Sequence, residues 1–138
     1  RPFHAVEPYR LKMGAKLAVD DARDLYAFWS DKLARAIAPA GSNTTIVNLA
    51  SVEYAKAVLP HLAGDATAVT CLFGEGIRNG KPIQRSTASK KARGSMVRWM
   101  AENKLEDASE LTAFNIGYRH IPELSDKNTL VFMNAQAQ

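Results

Sequence analysis

The spacing of apolar and polar positions along the chain predicts a mixture of helices and strands. An apolar stripe at helical spacing follows the carboxylates of Asp20 and Asp21, which predicts a helix over about 21–38. A run rich in β-branched residues at 44–50, which Asn48 interrupts, and an apolar run at 67–73 predict two buried strands. Because apolar side chains fill both faces of such strands, we expect them to lie inside a sheet covered by helices.

The rest of the pattern predicts shorter elements that are joined by loops of uneven length. They are a helix begun by Ser51 and running through 58, a short strand at 82–85 paired with the strand before it, a helix capped by Ser86 or Thr87 and running to about 103, a short helix near 107–111, an irregular stretch at 115–118 and a last strand at 129–133. This order favours an α+β fold, a mixed sheet with packed helices, over a regular doubly wound sheet.

The helix predicted near 88–103 separates an apolar face from a cationic face. At 100° per residue, one sector holds Ala88, Ala92, Met96, Trp99 and Met100, and the opposite side holds Lys90, Lys91, Gly94 and Arg98. A glycine inside a helix costs about 1 kcal/mol relative to alanine, and here it leaves room for a phosphate to approach closely. Alternatively, Gly94 packs against a neighbouring element.

The charge of the chain is concentrated in one segment. Of its 138 residues, 46% are apolar and 23% charged, a balance typical of globular proteins. Residues 78–104 hold eight basic residues and one acid, a net charge of +7, whereas the whole chain carries +4. A basic segment on an acidic remainder indicates a polyanionic partner, although a solvated helix face without a partner has the same pattern.

Several chemistries have no support in the sequence. Cys71 is the single cysteine and lies in an apolar run, so we expect a buried thiol and no disulfide within the chain. The three histidines have no ligand-like spacing, and no phosphate-binding loop, dinucleotide fingerprint or nucleophile elbow is found. We therefore predict no metal and no cofactor. No apolar run is long enough for a membrane span, so we expect no membrane partner.

Two further stretches carry candidate site residues. At 48–54 a strand ends where a helix begins, and there Glu53 is the candidate general acid or base, with Tyr54 beside it. A carboxylate at that position is equally explained by its favourable interaction with the helix dipole. Near the start of the chain, Tyr9 is a candidate for stacking on a base while Arg10 and Lys12 hold phosphates. Alternatively, this stretch is a loop fixed in the core by its apolar residues.

Together, these stretches resemble the YaaA family of peroxide-stress proteins. The similarity rests on PYRLKMG at 8–14, DLYAFW at 24–29, NLASVEY at 48–54 and KKARGSMVR at 90–98, in that order. It implies a bacterial cytoplasmic protein with one mixed α+β fold that limits damage by hydrogen peroxide and intracellular iron. It also implies binding of DNA through a positively charged cleft, for which this chain offers Arg10, Lys90, Lys91, Arg93 and Arg98.

The resemblance also changes the expected domain organisation. Length alone predicts a single domain over 1–138. The family pattern instead places this chain in the C-terminal part of a larger YaaA-like domain. We therefore expect an exposed apolar patch that the N-terminal segment of the family's domain, or a partner chain, would cover.

Two functions follow as hypotheses. The first is a protein of the peroxide response that binds DNA through phosphate contacts, without catalysis. The alternative is an enzyme acting on a nucleotide or nucleobase, with Tyr9 or Tyr54 stacking on the base and Glu53 as general acid or base. An enzyme requires the Glu53 carboxylate to face the cations, whereas a binding protein does not.

Overall fold

The order of strands and helices confirms the predicted mixed α+β class. The computed structural model describes residues 12–19 and 21–136. The strands are β1 (Lys16–Val19), β2 (Ala22–Asp24), β3 (Thr45–Asn48), β4 (Thr67–Gly74), β5 (Ile77–Arg78), β6 (Lys81–Pro82), β7 (Tyr118–His120) and β8 (Thr129–Asn134). The α-helices are α1 (Leu25–Trp29), α2 (Lys32–Ile37), α3 (Val52–Ala55) and α4 (Ser86–Glu102). The 3-10 helices are Leu59–His61, Ala108–Ala113 and Pro122–Leu124.

A mixed sheet in the order β3-β4-β8-β7 organises the molecule. Strands β3, β4 and β8 run parallel, and β7 pairs antiparallel with β8. The carboxyl ends of the three parallel strands therefore lie along one edge of the sheet, which is where parallel sheets commonly bind ligands. The pairs β1-β2 and β5-β6 form small separate ribbons. Within the described residues, no helix is long and apolar enough to cross a membrane.

The core lies between one face of the sheet and helix α4. Phe73 on β4 and Phe132 on β8 are fully buried, and their stacked rings lie 5.5 Å apart between centroids. From α4, Ala92 and Met96 close this face, and Phe114 packs edge-on against both rings. Close packing of large side chains supplies most of the stabilisation in a domain of this size. The predicted apolar face of the long helix is confirmed.

Cys71 lies in this core, as its apolar surroundings predicted. Its side chain is 2% exposed, and it belongs to the same cluster as Phe73. Burial raises the pKa of the Cys71 thiol to about 12, so the thiolate form is strongly disfavoured at neutral pH. Cys71 is therefore a small apolar residue of the core, not a reactive nucleophile.

The helix predicted over 21–38 is wrong as a single element. The chain first forms β2, and α1 begins after Asp24, whose side chain accepts a hydrogen bond of 2.8 Å from the Ala27 amide. Helix α1 then ends at Ser30, whose positive φ of 45° cannot continue a right-handed helix. The apolar stripe continues into α2 across this break. Spacing alone therefore suggested one helix where there are two.

Other boundaries also differ from the prediction. Helix α3 ends at Ala55 instead of 58, and Ser51 occupies its N-cap position without a side-chain hydrogen bond. The strand predicted at 82–85 is instead β6, which pairs with β5 across a turn and not with β4. Arg85, not Ser86 or Thr87, is the N-cap of α4. The stretch predicted to be irregular runs into strand β7, which the sequence pattern did not indicate.

Gly74 allows the chain to leave the sheet at the end of β4. A Cβ atom at this position would lie 2.6 Å from the sulfur of Met133 and 2.8 Å from the Cβ of Pro82. Only glycine permits the hairpin of β5 and β6 to fold back this closely. The consequence is that Glu75, the next residue, lies at the carboxyl edge of the sheet.

Glu75 ties three strands together at that edge. Its carboxylate accepts hydrogen bonds from the Tyr118 hydroxyl and from the Asn134 side-chain amide, the latter at 2.7 Å. These two bonds, with the positive charge of Arg85 nearby, hold the pKa of Glu75 below its usual value of 4.5. Burial and the bond to Glu75 raise the pKa of Tyr118 to about 12. The ionised carboxylate therefore stabilises the junction of β4, β7 and β8.

The Glu75 junction makes the stability of the fold depend on pH. Because its pKa is lower in the folded chain than in the unfolded chain, Glu75 stabilises the fold fully above about pH 4.5, and this contribution is lost as the pH falls below that value. We predict that Glu75→Gln lowers the free energy of unfolding by about 1 kcal/mol at neutral pH and flattens its fall on acidification. Urea denaturation at several pH values measures both effects.

Glu123→Gln is the matched control, because Glu123 is an exposed carboxylate in a surface turn. It should leave the acid dependence unchanged. If the stability of Glu75→Gln fell on acidification as steeply as that of the original chain, the Glu75 carboxylate would not be the source of this pH dependence.

Candidate functional site

At the carboxyl edge of the sheet, β3 leads into α3, and β4 leads through the β5-β6 ribbon into α4. Asn48, the last residue of β3, donates a hydrogen bond of 3.1 Å to the Thr70 hydroxyl and accepts one of 3.1 Å from the Ala50 amide. These bonds turn the chain out of β3 and towards α3. Asn48 is 8% exposed, so its polar group is buried but satisfied.

A cleft of about 360 Å³ separates α3 from α4 above this edge. We call it the α3–α4 cleft; its walls include Val52, Lys56, Leu59, Leu72, Gln84 and Arg93. A neighbouring hollow shares Val52, Gln84 and Arg93 with the cleft and is also lined by Lys90, so the two form one depression. The volume lies within the range of about 300–1,000 Å³ usual for small-molecule sites.

Arg93 is the cation held inside the α3–α4 cleft. Its guanidinium donates to the Gln84 side-chain oxygen at 3.3 Å, and its buried Nε has no hydrogen-bond partner within residues 12–19 and 21–136. No carboxylate in that part of the chain lies within 4 Å of this guanidinium. A partly buried arginine with only a neutral partner retains its full charge and attracts an anion.

Lys56 is a second cation of the cleft, and the sequence pattern did not single it out. Its Nζ lies 5.0 Å from the centre of the Tyr26 ring, a cation–π contact that orients the side chain. Lys56 is the C-cap residue that directly follows α3. Its position in a basic protein gave no local signal in the sequence. The placement of α3 against α4 brings it to the cleft.

The opposite flank of α4 forms a separate cationic surface. We call the exposed side chains of Lys91, Gly94 and Arg98 the outer face of α4; Lys90 lies between this face and the cleft. A Cβ atom at Gly94 would meet no atom within 4 Å, so this glycine does not serve packing against a neighbour. Arg98 is ion-paired with Glu102 at 2.7 Å, which reduces its charge towards a partner.

The six predicted phosphate-binding residues are therefore only partly brought together. Arg93 lines the cleft, and Lys91 and Arg98 lie on the outer face of α4. Lys12 is exposed beside Met13, in a different part of the surface. Tyr9 and Arg10 lie outside the described residues.

The Glu53 carboxylate is bound to the backbone near the start of the described chain. Its side-chain oxygen Oε1 accepts a hydrogen bond of 2.9 Å from the Met13 amide, and its carbonyl accepts one of 2.9 Å from the Tyr26 hydroxyl. Within the described ranges no ion pair joins Glu53 to Arg98, whose partner is Glu102. The Glu53 carboxylate thus holds the start of the described chain against α3.

Among the described residues, Tyr54, His61 and His120 do not line the cleft. Tyr54 is 45% exposed and lines a different hollow, shared with Ile37 and Val58. Within residues 12–19 and 21–136, no group of three or more His, Cys, Asp or Glu side chains is placed to hold a metal ion. The absence of a metal and a cofactor stays a prediction.

Comparison with known proteins gives one consistent family. The family described as peroxide stress protein YaaA matches residues 1–124 of this chain. A UPF0246 protein of Desulfitobacterium hafniense is 44% identical over 139 residues, covering 100% of this chain and 54% of its own length. Similar UPF0246 proteins of Limosilactobacillus reuteri and Pediococcus pentosaceus are each 43% identical, covering 96% of this chain and 52% of their own lengths.

Two conclusions follow from these matches. This chain spans about half the length of the curated relatives that it matches, each 52–54% covered. The family match extends over most of the chain and includes all four stretches on which the resemblance was based. The chain therefore belongs to the peroxide stress protein YaaA family.

Proposed function

We propose that this chain is the DNA-contacting part of a cytoplasmic bacterial protein of the peroxide response, which limits oxidative and iron-dependent damage to DNA. Membership of the peroxide stress protein YaaA family supports the role in the response. The exposed cations of α4 support a polyanion as the partner. The contacts are to phosphates, so binding does not depend strongly on sequence.

The observation that carries this proposal is the unequal pairing of the cations on α4. Lys90 and Lys91 are exposed, and within the described part of the chain neither has a carboxylate within 4 Å. Between them and Arg98, Gly94 leaves a gap in the side-chain layer with no neighbouring atom. Unpaired cations around a gap suit a phosphate backbone, which can approach the helix closely there.

The alternative, an enzyme acting on a nucleotide or nucleobase with Glu53 as general acid or base, has less support. A general base must lie within hydrogen-bonding reach of its substrate proton. The Glu53 carboxylate is instead bound to the backbone of Met13, outside the walls of the α3–α4 cleft. No observation on this chain favours catalysis by Glu53 over its role in holding that segment.

We also propose that part of the apolar surface is covered in the whole protein, by the N-terminal segment of the family's domain or by a partner chain. Val52 is 81% exposed, Ile37 53% and Tyr54 45%, and all three lie on or beside α3, close to the edge strand β3. Parallel strands are usually covered on both faces. Among the described residues, β3 is an edge strand that pairs with β4 alone, so the sheet is open on that side. The greater length of the relatives supports such a cover.

The first prediction concerns the two unpaired lysines. We expect Lys90→Ala combined with Lys91→Ala to weaken binding of duplex DNA and to reduce the slope of log affinity against log salt by about 2, one for each lost phosphate contact. An electrophoretic shift or fluorescence anisotropy titration at several salt concentrations measures both quantities. DNA affinity unchanged by this double substitution would contradict the proposal.

The matched control removes two positive charges elsewhere. Arg119 and Lys127 are exposed and lie outside α4. The combination of Arg119→Ala and Lys127→Ala should leave the salt slope close to that of the original chain. An equal loss in both double variants would mean that net charge, and not α4, determines binding.

The second prediction separates stability from binding at Gly94. Since no neighbour obstructs a Cβ atom there, Gly94→Ala should raise the free energy of unfolding by up to about 1 kcal/mol through its better helix propensity. The same methyl group should hinder a phosphate and lower DNA affinity severalfold. Urea denaturation and DNA titration of one sample test both effects.

Gly64→Ala serves as the control, because Gly64 is also free of neighbours but lies outside α4. It should not change DNA affinity. A Gly94→Ala variant that is more stable and binds DNA as well as the original chain would show that the gap is not used for binding.

A further inference from the structure

We propose that the α3–α4 cleft binds a nucleoside monophosphate unit, with its phosphate on Arg93 and its base against the apolar wall. This unit is either a free nucleotide or a single unpaired nucleotide within a nucleic acid strand. Binding of a free nucleotide does not rest on the DNA binding proposed above. Binding of an unpaired nucleotide within a strand does rest on it. The site adjoins the outer face of α4, and Lys90 lies between the two.

The positively charged side chains that line the depression favour an anionic ligand. Arg93 and Lys90 line the depression, and within the described residues neither has a carboxylate within 4 Å. By contrast, Arg98 on the other flank of the same helix is neutralised by Glu102 at 2.7 Å. Arginine suits a phosphate because its planar guanidinium donates two parallel hydrogen bonds.

Arg93 is also held in place before a ligand arrives. Gln84 accepts from its guanidinium at 3.3 Å, and its Nε is buried within the described structure without a hydrogen-bond partner. A buried donor that lacks a partner costs free energy, and a phosphate oxygen reached by a small side-chain rotation would remove this cost. A side chain that is already partly immobilised also loses less entropy on binding.

The rest of the cleft suits a flat apolar ring with polar edges. Val52, Ala55, Leu59 and Leu72 form an apolar wall. Asn48 at the end of β3 and Thr70 within β4 also line the cleft. Asn48 and Thr70 are joined by a hydrogen bond of 3.1 Å, so they present fixed polar groups to a ring edge. An apolar wall with a few fixed polar groups is the usual composition of a small-molecule site.

A simple inorganic anion would leave most of this cleft empty. Its volume of about 360 Å³ accommodates a nucleobase with its sugar as well as a phosphate. The phosphate would lie at the shared part of the depression, where Arg93 and Gln84 border both the cleft and the hollow that holds Lys90. The base would then extend towards Leu59 and Leu72, away from bulk water.

The test compares four ligands and three variants by isothermal titration calorimetry. The probes are adenosine monophosphate, guanosine monophosphate, adenosine and inorganic phosphate, each titrated into the full 138-residue chain. We expect a monophosphate to bind more tightly than either adenosine or phosphate. Arg93→Gln should weaken that binding about tenfold or more, because a charge-assisted hydrogen bond is lost.

Lys91→Ala is the matched control for charge on the same helix. Lys91 is exposed on the outer face of α4 and does not line the depression. It should leave binding of the monophosphate unchanged while weakening duplex DNA. Circular dichroism of both variants verifies that each is folded, and Arg93→Lys gives a second variant that keeps the charge and should bind with intermediate affinity.

A second arm distinguishes the two sources of the ligand. Single-stranded DNA is compared with the same strand carrying one abasic residue in the middle. If the cleft takes a nucleotide of a strand, the intact strand binds more tightly, and Arg93→Gln removes the difference. If the cleft takes free nucleotides only, monophosphates bind and the two strands do not differ.

Three results would overturn the proposal. If inorganic phosphate bound as tightly as the monophosphates, the cleft would be an anion site that does not bind a base. Equal weakening by Arg93→Gln and Lys91→Ala would show only general attraction of charge. Absence of monophosphate binding, together with equal affinity for both strands, would show that the cleft has no such ligand. Duplex binding that fails while monophosphates bind contradicts the proposed function but not this site.

Discussion

The packing of α4 on the sheet determines the direction of every charged side chain on that helix. Ala92 and Met96 are buried against Phe73 and Phe132, and this contact leaves no freedom to rotate the helix. Because side chains recur at 100° per residue, fixing the apolar face fixes the two flanks beside it. One flank borders the cleft beside α3, and the other is exposed to solvent. The core therefore sets the electrostatics of the surface.

The two flanks of α4 differ in chemistry although both are cationic. On the cleft side, Arg93 is partly buried, bonded to the neutral Gln84 and bordered by an apolar wall. On the solvent side, Lys91 is exposed beside the gap at Gly94. A buried cation with fixed geometry favours one specific anionic group, whereas exposed mobile cations favour a polymer of phosphates. The two flanks of α4 therefore suit the two kinds of phosphate contact that we propose.

The amino-acid pattern predicted what depends on local spacing and missed what depends on contacts between distant residues. The faces of α4 and the strands β3, β4 and β8 followed from periodicity, and the family followed from four short stretches. The break at Ser30 did not, because the apolar stripe continues across it. The role of Glu75 could not be predicted either, because its partners Tyr118 and Asn134 lie 43 and 59 residues away in the chain. The cleft likewise requires the position of α3 relative to α4.

A lysine footprint shows whether DNA binds at α4 or at another surface of the chain. The chain is acetylated with a small reagent in the absence and presence of duplex DNA, and the modification of each lysine is quantified by mass spectrometry. Lys90 and Lys91 are exposed on α4, whereas Lys127 is exposed beside the amino end of β8, at the opposite edge of the sheet. We expect DNA to protect Lys90 and Lys91 from acetylation and to leave the acetylation of Lys127 unchanged. Protection of Lys127 with full modification of Lys90 and Lys91 would contradict the proposed binding at α4.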